Sequence, residues 1–440
     1  MVEIRNCLCV NYIVKISDKM ILLYQFIYTI IIICCAPFIL LFAAAGNKRV
    51  LERLGLSLSK EYPKNKRIWV HALSVGEVIS AIPLIDAIRL EYPDKEIVLT
   101  VTTVKGLLIA KKELHEKVKI IQMPIDFWWS INRIRNYINP YCFVLVETDI
   151  WPALLNNLAQ NNIKCFLVNG RISPSTFKAY KKFSFIIKPV FSKFALCMMQ
   201  SEHDSKRLIE TGIDQNKIIT TGNIKFDRSW LPMQPQERDD LLNKLSLSAE
   251  DCIWVAGSIH KDEEKIILNV FLQLFPQFPK LRLILAPRNI EESNKILIIA
   301  QGMGLKSILK TDRDHDKNPY PVLILNTIGE LSRIYGIGKI AFVGGSMVAS
   351  GGHNLLEPAS FGMPVLFGPY MHNFVLMSEL ILKEEGAIQI NNENELYQSI
   401  KKLIEDDVLY DRMRKNSKNF VYKHQGAIKE VIMHIRKHVG

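Results

Sequence analysis

The sequence predicts an α/β protein of two Rossmann-like wound domains facing a cleft, preceded by an N-terminal membrane anchor helix. Three observations predict it. Short Val-, Ile- and Leu-rich runs alternate with segments of helical period, the pattern of parallel sheets covered on both faces. The alternation stops once, in the Pro- and charge-rich stretch TGNIKFDRSWLPMQPQERDD at 221–240, and then resumes. The 440-residue length is too great for one ordinary core.

The elements follow in order. Residues 1–20 are an extension. Ile21 to Ala45 is 25 residues without a charge, and roughly 20 suffice for a bilayer-spanning helix. Ala43-Ala44-Ala45 resembles a signal-peptidase site, but the apolar run exceeds the roughly 7–15 residues of a signal peptide. Arg5, Lys15 and Lys19 precede it; Lys48, Arg49, Arg53, Lys60, Lys64, Lys66 and Arg67 follow it. That asymmetry predicts a body on the cytoplasmic side, its basic collar held against anionic headgroups.

A first wound domain is expected over 46–225, with strands at 67–72, 96–102, 117–122, 142–147, 164–168 and 195–200. Val78, Ile82, Ile85 and Arg89 lie on one helical stripe, widened by Ile79, Leu84 and Ile88. Pro83 in that helix removes one backbone donor and should kink it. A linker at 226–245 leads to a second domain at 246–440, with strands at 252–257, 281–286, 321–326, 339–344 and 364–367. A helical stretch, 393–438, should close it.

Composition narrows the partners. The net charge of +12 favours an anionic one. No zinc-finger spacing or Arg-rich arm points to nucleic acid. The eight cysteines form no paired framework. Cys142, Cys165, Cys197 and Cys252 read as small buried hydrophobes of a reducing compartment. There is no G-x-x-x-x-G-K-[ST] phosphate loop and no G-x-S-x-G elbow.

The chemistry-bearing motifs lie at strand ends, where ligands bind in such sheets. HALSVGE, 71–77, has the S-x-x-E spacing of a capping box, so Glu77 reads as a helix cap or a working acid. Gly76 is costly in a first helical turn, which suggests close approach to the backbone. VLVETDIWP, 144–152, puts Glu147 and Asp149 after an apolar strand, where a carboxylate needs a partner or a use. No His or third carboxylate completes a metal shell there. Asn169-Gly170-Arg171 and Gly222-Asn223-Ile224-Lys225 each offer a cation. Gly257-Ser258-Ile259-His260, Ala286-Pro287-Arg288 and Gly329-Glu330-Leu331 follow strands in the second half. The richest stretch is FVGGSMVASGGHNLLEPASFGMPVLFGP, 342–369. Its glycine-flanked N–H groups suit a phosphate. Asn354-x-x-Glu357 repeats the capping spacing, and Glu357 is also placed to take ribose hydroxyls. Phe127-Trp128-Trp129 reads either as a greasy acceptor-facing patch or as core.

Taken together, HALSVGE, VETDIWP, NGRIS, GNIKFD, GSIHKDEE, APR, GEL and the 342–369 stretch resemble the 3-deoxy-D-manno-octulosonic acid (Kdo) transferases of lipopolysaccharide synthesis. The resemblance runs from about residue 45 to near the C-terminus. It implies the GT-B glycosyltransferase fold and inverting transfer of Kdo from CMP-Kdo to the lipid A precursor, lipid IV(A), at the cytoplasmic face of the inner membrane. It implies Glu77 as general base and Glu147 and Lys225 as transition-state stabilisers. Pro287, Arg288, Ile328, Gly329, Glu330, Asn354, Leu355, Leu356 and Glu357 are implied CMP contacts. Two departures stand out. The family's usual His and second Arg after the P-R pair are Asn289 and Ser293, and its N-A-R is Asn169-Gly170-Arg171. A single displacement needs one base and charge neutralisation at the leaving phosphate, so neither metal nor cofactor is expected. The expected base is a carboxylate near its ordinary pKa, ionised at neutral pH. Rival readings are a GT-B transferase using another nucleotide sugar, and a membrane-tethered nucleotide-binding protein without turnover.

Overall fold

The computed structural model describes residues 24, 26–38, 41–42, 48–58, 63–228, 233–314 and 320–439. The chain divides into two compact units, Met1–Arg228 with His424–Gly440, and Ser229–Lys423.

The first unit is built on seven parallel strands: β1 (Arg67–Ala72), β2 (Ile97–Val101), β3 (Lys119–Gln122), β4 (Pro140–Val146), β5 (Lys164–Gly170), β6 (Leu196–Met199) and β7 (Ile218–Thr220). Their order is β3-β2-β1-β4-β5-β6-β7. Strand residues alternate between two cores. Ile68, Val70 and Ala72 pack with Val78, Leu84 and Ile85 on one face. Trp69 packs with Phe143, Leu145 and Leu167 on the other. Burial on both faces is why these strands read as continuous apolar runs. The helix Val75–Glu91 runs on through Pro83, burying Val78, Ala81, Leu84, Ile85 and Ile88.

The second unit holds β8 (Cys252–Ile259), β9 (Leu281–Pro287), β10 (Ser307–Leu309), β11 (Val322–Ile324), β12 (Ile340–Val343), β13 (Val365–Phe367) and β14 (Ala387–Gln389). The order is β10-β11-β9-β8-β12-β13-β14, again all parallel.

Three strands were not expected: β7, β10 and β14. Each is three residues long and lies at a sheet edge. A three-residue run is too short to show a period, and an edge strand is covered less, so its sequence need not be apolar.

The end of the chain corrects another expectation. The helices Glu393–Glu405 and Asp407–Lys423 belong to the second unit, but the last helix, Ala427–Val439, belongs to the first. Its Ala427, Ile428, Val431 and Ile435 enter the same core as Val78 and Ile85. Asp227 fixes its start: the two carboxylate oxygens accept the backbone N–H groups of Gly426 and Ile428, both at 2.5 Å. An acidic side chain on the unpaired N–H groups of a first turn also complements the helix dipole.

The expected anchor at 21–45 falls partly outside the described residues. Residues 26–38 are helical, with Phe26, Ile30, Ile33 and Phe38 exposed. Among the described residues no helix is long and apolar enough to cross a membrane. Cys142, Cys165 and Cys197 are fully buried and unpaired, while Cys252 is half-buried.

Candidate functional site

In each sheet the strand order reverses beside the first strand, between β1 and β4 in one unit and between β8 and β12 in the other. Loops leaving such strands diverge to opposite faces and open a crevice at their carboxyl ends. Glu77 follows β1 and Glu147 follows β4. His260 and Glu263 follow β8, and the glycine-rich stretch follows β12.

Glu77 lies in the first turn of the helix Val75–Glu91 and is only 8 % exposed. The capping box forms in altered shape. Ser74 is the N-cap, yet its side chain accepts no cap hydrogen bond. Instead, the Ser74 hydroxyl donates to Glu77 Oε1 at 3.3 Å, and the Leu73 N–H donates to Oε2 at 2.5 Å. The carboxylate is thus held by the chain just before the helix. A Cβ on Gly76 would meet only Ser74 Oγ, at 4.0 Å.

The expectation of an ordinary acid at Glu77 does not hold. Burial pushes its pKa up to about 7, and the charges of Glu147 and Asp149 push the same way. The bonds from Leu73 and Ser74 pull against them. Removing a carboxylate from water disfavours its charged form, and a second carboxylate nearby adds to that.

Glu147 adopts φ +62°, a left-handed conformation unusual for a residue with a side chain. Its backbone N–H still donates to Val168 O at 2.8 Å. Its Oε1 lies 2.8 Å from Lys225 Nζ. Lys225 sits in a short 3-10 turn, Ile224–Asp227, whose cap is Asn223. Asn169, at φ +57° near the end of β5, draws that turn inward, its Oδ1 accepting from Ile224 N at 3.1 Å. In the N-G-R departure, a Cβ at position 170 would lie 2.5 Å from Met199 Sδ, so Met199 occupies the space an alanine there would need.

Two further groups, His71 and Asp149, stand at the ends of β1 and β4, and the sequence singles out only Asp149. His71 is fully buried. Its Nδ1 lies 3.0 Å from Thr100 O and 2.8 Å from Thr100 Oγ1. A carbonyl only accepts, so Nδ1 carries the proton. Nε2 then points to Asp149 Oδ2 at 3.6 Å, and the same oxygen accepts from Trp151 Nε1 at 2.7 Å. Asp149 is thereby tied to the Trp151 indole, while His71 Nε2 makes no hydrogen bond. The approach of His71 to Asp149 was invisible because β1 and the loop after β4 are about 80 residues apart in the chain. Of the aromatic triplet, Trp128 is exposed, while Trp129 is half-buried beneath the Arg133 guanidinium.

In the second unit, Pro287 is buried at the end of β9 and Arg288 beside it is exposed. Ile328 is 83 % exposed, and Gly329 takes φ +87°, so the turn Ile328-Gly329-Glu330 needs its glycine. Glu330 accepts from Thr327 Oγ1 and pairs with Lys310 at 3.2 Å. Both line a pocket of ≈ 540 Å³ with Lys244 and Arg333. Leu355 and Leu356 are fully buried, which leaves their backbone as the part able to meet a nucleotide. Asn354 caps at a different offset from the one expected: its Oδ1 accepts from Leu356 N at 3.1 Å, and the helix Leu356–Ser360 starts one residue later. Asn289 caps a 3-10 turn and Ser293 is buried at a helix start. Neither replaces the cation that the family carries there.

The glycine-rich stretch departs most from expectation. The N–H groups of Gly345, Ser346 and Met347 are not waiting for a phosphate. Glu263, wholly buried, accepts Gly345 N at 2.7 Å and His260 N at 2.9 Å on Oε2, and Ser346 N at 3.0 Å and Met347 N at 2.8 Å on Oε1. The glycines serve a close approach instead. A Cβ on Gly344 would lie 2.5 Å from Ser258 O and 2.7 Å from Ile259 Cα. The sequence displayed Glu263 as one of several charges in HKDEE, with nothing to separate it from a solvated face. Among the described residues no group of three or more His, Cys, Asp and Glu is placed to hold a metal ion.

Comparison with known proteins places this geometry. A sequence model of the 3-deoxy-D-manno-octulosonic-acid transferase (kdotransferase) family matches residues 48–228. The chain is 30% identical to the 3-deoxy-D-manno-octulosonic acid transferase of Haemophilus influenzae, over 93% of this chain and 97% of that one. It is also 30% identical to the Aquifex aeolicus protein of the same name, over 78% of this chain and 88% of that one. Among solved structures, UDP-GlcNAc 2-epimerase from Neisseria meningitidis superposes with a TM-score of 0.60 at 13% identity, covering 85% of this chain and all (100%) of that one. A Rickettsia africae glycosyltransferase gives 0.56 at 14% identity, covering 86% and 99%. At that identity the structures speak for the fold, which is GT-B. At 30% identity over nearly the whole of a named relative, the chain belongs to the 3-deoxy-D-manno-octulosonic acid transferase family.

Proposed function

We propose that the protein transfers Kdo from CMP-Kdo to the lipid A precursor, lipid IV(A), with inversion, Glu77 being the general base. The observation that carries this reading is the setting of Glu77: a buried carboxylate at the first strand end, beside an acid–lysine pair, its pKa raised to about 7. A base is most effective when its pKa lies near the working pH. In the reaction, an acceptor hydroxyl oxygen forms the new bond to the anomeric carbon. The bond from that carbon to the phosphate oxygen breaks, and CMP leaves with the electron pair. The hydroxyl proton goes to Glu77. Lys225, held by Glu147, supplies positive charge to the developing transition state. Pro287, Arg288, the 328–330 turn and 354–357 hold the CMP moiety.

The acceptor is a lipid, and two features support work at the inner face of the inner membrane. Residues 26–38 present an apolar helical surface. Phe183, Phe185 and Ile186 are exposed among Lys178, Lys181, Lys182 and Lys188, a mixture that suits anionic headgroups over an apolar layer.

The test is direct. Purified full-length protein is incubated with CMP-Kdo and tetraacyl lipid A precursor, and products are counted by mass. Kdo-modified lipid with equimolar CMP is expected. No adduct, or near-normal transfer by a folded Glu77→Gln variant, overturns the reading.

A further inference from the structure

The N–H groups of Gly345, Ser346 and Met347 after β12 are taken by the Glu263 carboxylate, so an incoming phosphate must be met by other groups. Three groups stand at the ends of adjacent strands, in the order β9-β8-β12. Arg288 follows β9, and its backbone N–H donates to Ile259 O at 2.9 Å, which joins the β9 and β8 ends. His260 follows β8. His353 lies in the loop after β12. The two imidazoles stack with centroids 5.1 Å apart and share an Nε2–Nε2 hydrogen bond of 2.8 Å. They lie directly over Gly345: a Cβ there would be 3.1 Å from His260 Cδ2 and 3.2 Å from His353 Cδ2.

We propose that the phosphate of the donor nucleotide is received by the imidazole pair His260–His353 beside Arg288, and that Glu263 is the positioning residue that fixes this pair. The inference deepens the CMP-Kdo reading and rests on it.

The hydrogen-bond arithmetic supports it. One ring must donate through Nε2 and the other accept, so two neutral rings leave one Nδ1–H and one Nδ1 lone pair for other partners. The Nδ1–H is a donor for a phosphate oxygen. Burial, with Arg288 and His260 adding to it, lowers the His353 pKa to about 4, so this ring is neutral before an anion arrives. An arriving phosphate pairs with the Arg288 charge, which the neutral imidazoles leave uncompensated. Among the described residues no carboxylate pairs with the Arg288 guanidinium, which makes it available for that role. Glu263 acts at one remove. It binds the N–H of His260 from one loop and those of Gly345, Ser346 and Met347 from the other, so His260 and the loop that leads on to His353 are joined by one carboxylate.

The experiment compares CMP with cytidine, which lacks the phosphate, by calorimetric titration of the full-length protein. Wild type is expected to bind CMP at least tenfold more tightly than cytidine. His353→Asn and His260→Asn, checked for unchanged thermal unfolding, should lose most of that ratio, with cytidine affinity kept. Glu263→Gln retains an acceptor but gives up an anionic oxygen, and should lower the ratio in the same way. A purely structural defect would weaken both ligands together. Equal weakening of CMP and cytidine in the histidine variants, or no change in either, overturns the proposal. If the wild type binds neither ligand, the cytidine-nucleotide reading itself fails, and this inference goes with it.

Discussion

Lys225 Nζ lies 2.8 Å from Glu147 Oε1, although the two residues leave strands β7 and β4, with β5 and β6 between them. Asn169 makes this reach possible by binding the backbone of Ile224. Both charged groups are partly exposed, so the pair contributes little to stability. Lys225→Gln should therefore unfold at nearly the wild-type temperature while transfer falls by roughly 10²-fold, the scale for loss of one transition-state electrostatic contact. A kcat loss with KM almost unchanged is the expected signature.

Glu77→Gln should separate activity from stability. Transfer should drop about 10²–10⁴-fold if the carboxylate is the base. The folded-state pKa of about 7 lies above the usual 4.5, so the native protein holds a proton that the unfolded chain releases. Stability is then highest below about pH 4.5 and declines as pH rises to 7, levelling off beyond it. Gln has no charge to bury. Urea unfolding should find the variant more stable than wild type at pH 8, by on the order of 1–3 kcal/mol, with the gap closing near pH 5.

Asp149→Asn tests what tunes that acid. Asp149 and Glu147 both raise the Glu77 pKa by charge. Neutralising Asp149 should move the acid limb of the pH–rate profile to lower pH. The amide still accepts from Trp151 Nε1, so the loop should hold. An unmoved limb would mean that burial and Glu147 set the pKa without Asp149.

Gly344→Ala and Gly170→Ala should differ. At 344 the added methyl meets backbone atoms of Ser258 and Ile259, which have no room to move. At 170 it meets Met199 and Leu167 side chains. Overpacking typically costs about 1–3 kcal/mol, and Gly344→Ala belongs at or beyond the upper end. Gly170→Ala should cost less, and Met199→Ala should relieve it. Thermal unfolding of the single and double variants checks both.

Asp227→Ala should loosen the last helix from the first unit. Losing a cap of this kind costs about 1–2 kcal/mol. Limited proteolysis should cleave near Gly426 sooner in the variant.

The two-sheet architecture was legible in the chain's pattern, because strands covered on both faces must be continuously apolar and separated by helical stripes. Eleven of the fourteen strands among the described residues could be read that way; β7, β10 and β14 could not, since three edge residues carry no period. The sequence also marked Glu77, Glu147, Lys225 and Arg288 as strand-end charges, and the match of motifs in order supplied the family. What the sequence could not express was which groups neutralise one another. Glu263 is one acid among the neighbouring charges in HKDEE, and only folding brings it under Gly345, Ser346 and Met347, some 80 residues on. The shift of Glu77 depends on water excluded from its surroundings and on carboxylates about 70 residues away. The final helix returns to the first unit because its apolar face matches that of Val75–Glu91, a pairing 350 residues apart that no local pattern records. Local sequence fixes backbone preference and burial period; charge balance and docking depend on distances that exist only once the chain is folded.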